Sequence, residues 1–215
     1  MIPDIISYGS ASPGAIAALP WLSLIFLLSY LLGSIPFGIL IAKYLNLSDP
    51  RSIGSGNIGA TNVLRTGNKL AALMTLILDG GKGLVAVLIV DSLFGLTASQ
   101  FSAIGAFFGH IFPLYTKFKG GKGVATFFGI LLGFDLSLAV ITIVIWLFIA
   151  ATLRFSSLAA LLSTTSSIIV CVWIGNYSSI WVLILIVLFI WLKHVRNLSR
   201  LLQGNEPKIN LKSPN

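Results

Sequence analysis

Four long stretches of this chain, residues 5–42, 92–116, 136–153 and 155–192, carry no Asp, Glu, Lys or Arg. A membrane-spanning helix needs about 20 predominantly apolar residues, and the last stretch is long enough for two such helices. Only 9% of all residues are charged, whereas soluble domains carry about 25%. The chain is therefore expected to be a membrane protein. A nucleic-acid-binding protein is excluded, because it would need a basic face on a soluble fold.

The apolar stretches and the turn residues between them predict an all-α fold with seven transmembrane helices. The predicted spans are residues 21–43, 70–91, 97–115, 121–134, 136–153, 156–174 and 178–194. The fourth is shorter than a full crossing, so a five-span fold in which residues 120–133 are re-entrant or lie on the surface stays open. Prolines and glycines predict an irregular N-terminal extension at residues 1–20. One transmembrane domain at 21–206 and a cytoplasmic tail at 207–215 would follow it.

The charged residues are segregated by this arrangement of spans. With seven spans, every Lys and Arg except Lys82 lies on or near one side of the membrane, and Asp4, Asp91 and Asp135 lie on the other. Lys and Arg are enriched in cytoplasmic loops. The cationic side is therefore predicted to be cytoplasmic, with the N-terminus outside and the C-terminus inside.

Residues 52–67, S-I-G-S-G-N-I-G-A-T-N-V-L-R-T-G, form a polar loop on the predicted cytoplasmic side. Glycines let a backbone approach a ligand closely, and free N–H groups in such a loop make a concave anion site. A flexible linker is the alternative interpretation. The two asparagines, the two threonines and the neighbouring Arg51 and Arg65 favour ligand binding, since polar loop residues on a rigid scaffold usually bind something.

A second polar loop, K-F-K-G-G-K-G at residues 117–123, combines glycines with positive charge. It is not a Walker A motif, which needs a further glycine before Gly-Lys and a Ser or Thr after it. Its lysines alone could anchor the chain at the cytoplasmic surface, but an anchor does not need three glycines. The composition therefore favours a phosphate site.

Other polar residues lie in or beside the predicted spans. Asp79 and Lys82 are three residues apart on one helix face and can neutralise each other, with a functional and a packing role both open. His194 and Asn197 would project together from a continuing helix, where His194 can act as a base or as a favourable C-terminal cap. His110 is expected to be a buried hydrogen-bonding residue.

Several common catalytic arrangements are absent from the sequence. It contains no H-E-x-x-H, H-x-x-E-H or G-x-S-x-G motif, and neither histidine is followed at the required spacing by an aspartate. With two histidines and one cysteine, we expect no Ser-His-Asp triad, metal site or intramolecular disulfide.

Three separated segments carry a family resemblance. They read G-S-I-P-F-G at 33–38 followed by R-S-I-G-S-G-N-I-G-A-T-N-V-L-R at 51–65, then G-H-I-F-P-L-Y-T-K-F-K-G-G-K-G-V-A-T at 109–126, and K-H-V-R-N-L-S-R-L-L-Q-G-N-E at 193–206. Together they resemble the bacterial acyl-phosphate:glycerol-3-phosphate acyltransferases from about Ser29 to Glu206. The resemblance implies an inner-membrane enzyme that transfers a fatty acyl group from acyl phosphate to the 1-hydroxyl of glycerol 3-phosphate, giving lysophosphatidic acid and phosphate. It implies no cofactor, and the expected partners are both substrates and the lipid bilayer, with the protein acting as a monomer.

The resemblance also implies roles for individual residues. Catalytic roles fall on Ser34 or Ser55, and on Arg51, His194 and Asn197, while Glu206 is implied to be structural, as we expect for Asp79 and Lys82. Glycerol 3-phosphate binding is implied for Lys119, Gly120, Gly121, Lys122 and Gly123, and we add Asn57, Thr61, Asn62 and Thr126 as substrate-binding candidates.

The expected mechanism is direct attack of the substrate hydroxyl on the acyl carbonyl, because phosphate is already a good leaving group. The protein would align two anions and stabilise the developing charge. Either His194 or the substrate's own phosphate would take the proton. A transporter for a phosphorylated solute is the leading alternative class, and a non-catalytic membrane scaffold is a third. The clustering of polar motifs on one side disfavours the transporter.

Overall fold

The computed structural model describes residues 13–209 of the chain, and the described part is helical with no β-strand. Nine α-helices occur in it: α1 Pro13–Gly33, α2 Phe37–Tyr44, α3 Ala60–Val63, α4 Lys69–Ile111, α5 Val124–Phe134, α6 Leu136–Leu153, α7 Ser156–Trp173, α8 Ile180–Lys193 and α9 Val195–Leu202. The prediction of an all-α protein is confirmed. Most of these helices have no polar face, as expected of helices that contact lipid.

The first helix differs from the prediction at both ends. It begins at Pro13, where proline is well tolerated in a first helical turn, so the predicted irregular extension is wrong from that residue to Pro20. Residues 1–12 of that extension lie outside the described residues. The helix ends at Gly33, because Pro36 lacks an N–H and disfavours helical angles at the preceding residue. The single predicted span at 21–43 is therefore broken into α1 and α2.

Helix α4 folds back on itself. Its backbone leaves helical geometry at Gly95, with φ 77° and ψ −177°. The hydroxyl of Ser102 donates to the carbonyl of Ala86 at 2.8 Å, whereas a straight helix would separate these residues by about 24 Å. Residues 69–94 and 96–111 are therefore two antiparallel arms, called here the first and second arm of α4. They correspond to the predicted spans 70–91 and 97–115.

Helix α5 packs closely against the first arm of α4. A Cβ atom added to Gly129 would overlap the carbonyl of Gly80, and one added to Gly83 would overlap the carbonyl of Thr126. Helix α5 has only 11 residues, which is short for a membrane crossing. Over the described residues, four helical segments are long and apolar enough to span a membrane when α1 and α2 are counted as one segment and the two arms of α4 as another, and the bent pair α8–α9 would be a fifth. The count of seven spans stays a prediction.

The loops collect at two ends of the bundle. At one end, called here the motif end, Ser157 at the start of α7 bonds to Glu206, and Lys193 at the end of α8 bonds to Ile111. At the opposite end Asn176 bonds to Asp135.

The core between the second arm of α4, α5 and α8 is built from fully buried side chains: Phe107, Ile111, Phe127, Ile130, Leu183, Ile186 and Ile190. Ser34 of the first motif accepts the N–H of Leu114 in the second, so all three resembling motifs meet at the motif end.

Candidate active site

The polar loop between α2 and α4 is organised by Asn62, which is 2% exposed. Its amide nitrogen donates to the carbonyls of Pro50, Ile53 and Asn57, while its amide oxygen accepts from the backbone N–H and the hydroxyl of Ser55. One buried side chain thus holds four points of the loop together, so the loop is not a flexible linker. Asn62 itself is used to shape this loop.

The two arginines that flank this loop lie in different surroundings. The guanidinium of Arg51 bonds to both carboxylate oxygens of Asp49, and their side chains are 53% and 39% exposed. Asp49 neutralises Arg51 there, and no hydrogen bond among the described residues links Arg51 to the other predicted site residues. Arg65 is half-buried and donates to the amide oxygen of Asn62 at 3.3 Å. It therefore faces the inner side of the loop.

The two candidate serines also differ. Ser34 is fully buried; its hydroxyl donates to the carbonyl of Tyr30 at 2.8 Å and accepts from the N–H of Leu114 at 3.3 Å. It thus fastens the end of α1 to the loop after the second arm of α4. Ser55 is exposed and bonds within its own loop. Neither hydroxyl bonds to a histidine.

The glycines of the second polar loop are required by packing. A Cβ on Gly120 would overlap the carbonyl of His110, one on Gly121 would overlap its ring, and Gly123 has φ 86° and leaves no room beside Phe107. The backbone can therefore lie against the second arm of α4. Beyond the loop, Thr126 is buried and donates to the carbonyl of Asp79 at 2.9 Å.

The two lysines of this loop are placed differently. Lys119 is exposed, whereas the ammonium of Lys122 donates to the amide oxygen of Asn197 on α9. Burial, and then the charges of Arg200 and Arg65, lower the pKa of Lys122 to about 8 against the opposing effect of Glu206. Lys122 is therefore the lysine of this loop that joins Arg65, Arg200, Asn197 and Glu206 in one group, called here the cationic cluster.

Glu206 is the anchor of that cluster. Its carboxylate accepts hydrogen bonds from Asn197 at 2.6 Å, Ser157 at 2.7 Å and Arg200 at 2.8 Å. Burial by itself would raise the pKa of Glu206, but these hydrogen bonds outweigh it and lower the pKa. The glutamate is thus held ionised and orients the three side chains that donate to it.

The cluster carries excess positive charge. Arg200 contacts the carboxylate of Glu206, and Lys122 and Arg65 are near enough to interact with it electrostatically. At the edge, the hydroxyls of Thr61 and Ser156 lie 3.1 Å apart and join α3 to α7. Two uncompensated positive charges with amide and hydroxyl groups nearby suit a doubly charged phosphate.

His194 lies at the break between α8 and α9, which meet at 58°. The predicted continuing helix is therefore wrong, although His194 and Asn197 are both buried, at 3% and 4% exposure. The Nδ1 atom of His194 lies 2.8 Å from the carbonyl oxygen of Ile190. Burial lowers the pKa of His194 to about 4, so the ring is neutral near pH 7. Because a carbonyl only accepts, the neutral ring carries its proton on Nδ1 and keeps a lone pair on Nε2. Neighbouring Lys193 donates to the carbonyl of Ile111 at 2.8 Å and fixes this segment.

Asp79 and Lys82 form the ion pair that their spacing predicts, with 2.8 Å between Oδ1 and Nζ. His110 is buried as expected, but the expected side-chain hydrogen bond is not formed at Nδ1, which lies 3.5 Å from the same Asp79 oxygen without one. These residues lie beneath the second polar loop, one layer inside the cationic cluster.

The structure therefore brings Lys122, His194, Asn197 and Glu206 together and leaves Arg51 and Lys119 at the surface. From the sequence, Arg65 counted only as part of a ligand-binding loop, and Arg200, Ser156 and Ser157 had no site role. The first two belong to the resembling motifs, which is the only signal that could have found them, whereas the serines lie in a helix start with no motif.

Comparisons with known proteins identify the family of the chain. A family model described as "Glycerol-3-phosphate acyltransferase" matches residues 23–204. The chain is 50% identical over 188 residues to a glycerol-3-phosphate acyltransferase of Jannaschia sp., covering 87% of this chain and 93% of that protein. It is 49% identical over 191 residues to one of Dinoroseobacter shibae, with 89% and 94% covered.

A solved structure is similar over nearly its whole length. The crystal structure of PlsY, an integral membrane glycerol 3-phosphate acyltransferase in its glycerol 3-phosphate form, has a TM-score of 0.84 and 36% identity, with 88% of this chain and 96% of that chain covered. The lysophosphatidic acid form of PlsY gives a TM-score of 0.82 and 35% identity, with 89% and 96% covered. The chain is an integral membrane protein that belongs to the glycerol-3-phosphate acyltransferase family.

Proposed function

We propose that this protein transfers a fatty acyl group from acyl phosphate to the 1-hydroxyl of glycerol 3-phosphate, giving lysophosphatidic acid and phosphate. The observation that carries the proposal is the net positive cluster of Lys122, Arg65 and Arg200 beside His194. Such a cluster suits a small phosphorylated substrate. The solved relatives support the choice of substrate and product, since they are described in glycerol 3-phosphate and lysophosphatidic acid forms.

The reaction proceeds by direct attack. The 1-hydroxyl oxygen of glycerol 3-phosphate forms a bond to the acyl carbonyl carbon, and the bond from that carbon to the phosphate oxygen breaks. The cations hold the substrate phosphate and offset charge on the carbonyl oxygen and the departing phosphate. No acyl-enzyme is needed, and the absence of a serine–histidine hydrogen bond in the described residues supports this, because a serine nucleophile needs an adjacent base.

The hydroxyl proton is taken by Nε2 of His194, whose free lone pair follows from the bond at Nδ1. The substrate's phosphate is the competing acceptor. Replacing His194 by Gln should abolish turnover while glycerol 3-phosphate still binds. Residual activity of a few per cent would reject His194 as an obligate base and assign the proton to the phosphate.

The enzyme acts at the cytoplasmic surface of the bacterial inner membrane. One substrate is soluble and the other is amphipathic, so a site at one end of a membrane bundle gives both access. The charge distribution supports the cytoplasmic side, since Lys and Arg concentrate at the motif end.

The donor is tested with purified protein in detergent. Acyl phosphate, acyl-CoA and an acyl carrier protein thioester are each offered with glycerol 3-phosphate, and lysophosphatidic acid is measured. We expect product from acyl phosphate alone. Product from either thioester at a comparable rate would overturn the donor assignment, and no product from any donor would overturn the function.

A further inference from the structure

The buried residues Asp79, Lys82 and His110 form a charged cluster that the proposed chemistry does not use. They are 2%, 4% and 4% exposed. Asp79 contacts both partners through one oxygen, at 2.8 Å from Lys82 and 3.5 Å from His110. A buried ion pair is costly, and apolar residues of similar volume often stabilise a fold better. Helix packing alone therefore explains this cluster poorly.

The cluster touches both of the segments that flank the candidate site. Lys82 donates to the carbonyl of Ile35 at 3.0 Å, in the break between α1 and α2. Ile35 directly follows Ser34, whose hydroxyl accepts the N–H of Leu114 at the start of the loop after α4. One face of the cluster is thus fixed to the first motif.

The other face of the cluster is fixed to the second polar loop. The N–H of Gly121 donates to the carbonyl of His110 at 3.1 Å, and the His110 ring fills the space where a Gly121 side chain would lie. The main-chain carbonyl of Asp79 accepts from Thr126 just beyond the loop. Lys122, the cation of this loop, is the next residue after Gly121.

We propose that Asp79, Lys82 and His110 are positioning residues that hold the Gly120–Lys122 segment at a fixed distance from the Ser34–Ile35 break. The inference rests on the proposed function, in which Lys122 binds the phosphate of glycerol 3-phosphate. The Asp79 carboxylate, held by Lys82, lies 3.5 Å from Nδ1 of His110 and confines the ring by close contact rather than by a hydrogen bond, and the ring in turn confines the loop. Loss of the cluster displaces Lys122 and weakens glycerol 3-phosphate binding, while the acyl donor and the chemistry are affected less.

The first test replaces both charges at once, as Asp79→Asn with Lys82→Met, so that no unpaired charge is buried. The dissociation constant for glycerol 3-phosphate is measured by calorimetry in detergent, together with kcat and the KM of each substrate. We expect glycerol 3-phosphate to bind about ten-fold more weakly, because a displaced Lys122 makes a poorer charge-assisted hydrogen bond to the phosphate, with kcat and the donor KM within about three-fold. Ser102→Ala is the matched control, a buried polar residue on the second arm that touches Ala86 and Ser29 but not the loop.

A second test leaves both charges in place. It also applies if the Asp79→Asn, Lys82→Met double variant, called here the neutral pair, does not fold. His110→Ala and Gly121→Ala are combined in a double-mutant cycle. Each single change should weaken glycerol 3-phosphate binding, the first by freeing the loop and the second by the overlap with the ring. In the double variant the added methyl should be harmless, so its dissociation constant should match that of His110→Ala within about two-fold.

These outcomes separate the inference from the proposed function. Wild-type binding in the neutral pair or in His110→Ala, or an equal effect of Gly121→Ala in both backgrounds, overturns the positioning role even if wild-type protein makes lysophosphatidic acid. If the wild-type protein binds glycerol 3-phosphate but transfers no acyl group, the proposed function is overturned. Weakened binding in the variants would then still support the positioning role. A wild-type protein that does not bind glycerol 3-phosphate overturns both.

Discussion

Removing the carboxylate of Glu206 should destabilise the protein by several kcal/mol, although this residue touches no substrate in the proposed mechanism. It accepts two hydrogen bonds from neutral donors, Ser157 and Asn197, and one from the guanidinium of Arg200. Neutral bonds contribute about 1 kcal/mol each and one to a charged group about 2 kcal/mol. Glu206→Ala should therefore lower the free energy of unfolding by about 4 kcal/mol. Glu206→Gln keeps one accepting oxygen, but its amide N–H₂ opposes another donor, so it should lose about 2 kcal/mol.

The assay is thermal unfolding of purified protein in detergent. For a chain of this size about 1 kcal/mol shifts Tm by about 2–4 °C, so the alanine variant should unfold about 8–16 °C lower. The matched control is Asp49→Asn, which breaks the exposed ion pair with Arg51 and should cost less than about 1 kcal/mol. A Tm of Glu206→Ala equal to that of the control would refute the reasoning that Glu206 anchors the cluster.

Three further outcomes are expected. Because its pKa is lowered to about 8, Lys122 loses its charge as pH rises, so kcat/KM for glycerol 3-phosphate should fall above about pH 8; in Lys122→Arg this fall should be absent, and an unchanged profile would contradict the assignment. Ser34→Ala should lower stability by about 1–2 kcal/mol in thermal unfolding, whereas Ser55→Ala, at an exposed residue, should change it by less than about 0.5 kcal/mol. Gly129→Ala forces a Cβ into a backbone carbonyl and should cost about 1–3 kcal/mol; Gly81→Ala meets nothing within 4 Å and should be neutral or stabilising, so equal Tm losses would contradict the packing argument.

The helical class followed from the sequence because lipid requires every backbone polar group to be bonded within its own segment. Long charge-free runs therefore had to be helices, and their breaks fell where the backbone needed Gly95 or a cap from Asp135. The start of α1 at Pro13 is not found by a rule that treats proline and glycine as helix breakers. Proline in a first turn breaks nothing.

The site was only partly predictable because its members come from distant segments. The glycine-lysine loop was visible in the sequence as a candidate phosphate site, although its glycines are required for packing against His110 and Phe107. Ser157 and Arg200 acquire their importance only through Glu206, to which tertiary packing brings them. Arg51 illustrates the opposite case, because sequence spacing could not show that Asp49 already pairs with it. Electrostatic partners in three dimensions decide which cation is free for a ligand.

The most direct test of the account is the coupling of phosphate release to glycerol 3-phosphate. Purified protein is mixed with acyl phosphate, and inorganic phosphate and lysophosphatidic acid are measured with and without glycerol 3-phosphate. We expect release only when glycerol 3-phosphate is present, with one lysophosphatidic acid formed for each phosphate and none in Lys122→Met. Equal release without the acceptor, or full turnover in Lys122→Met, would contradict the claim that the cationic cluster holds the phosphate of the attacking alcohol.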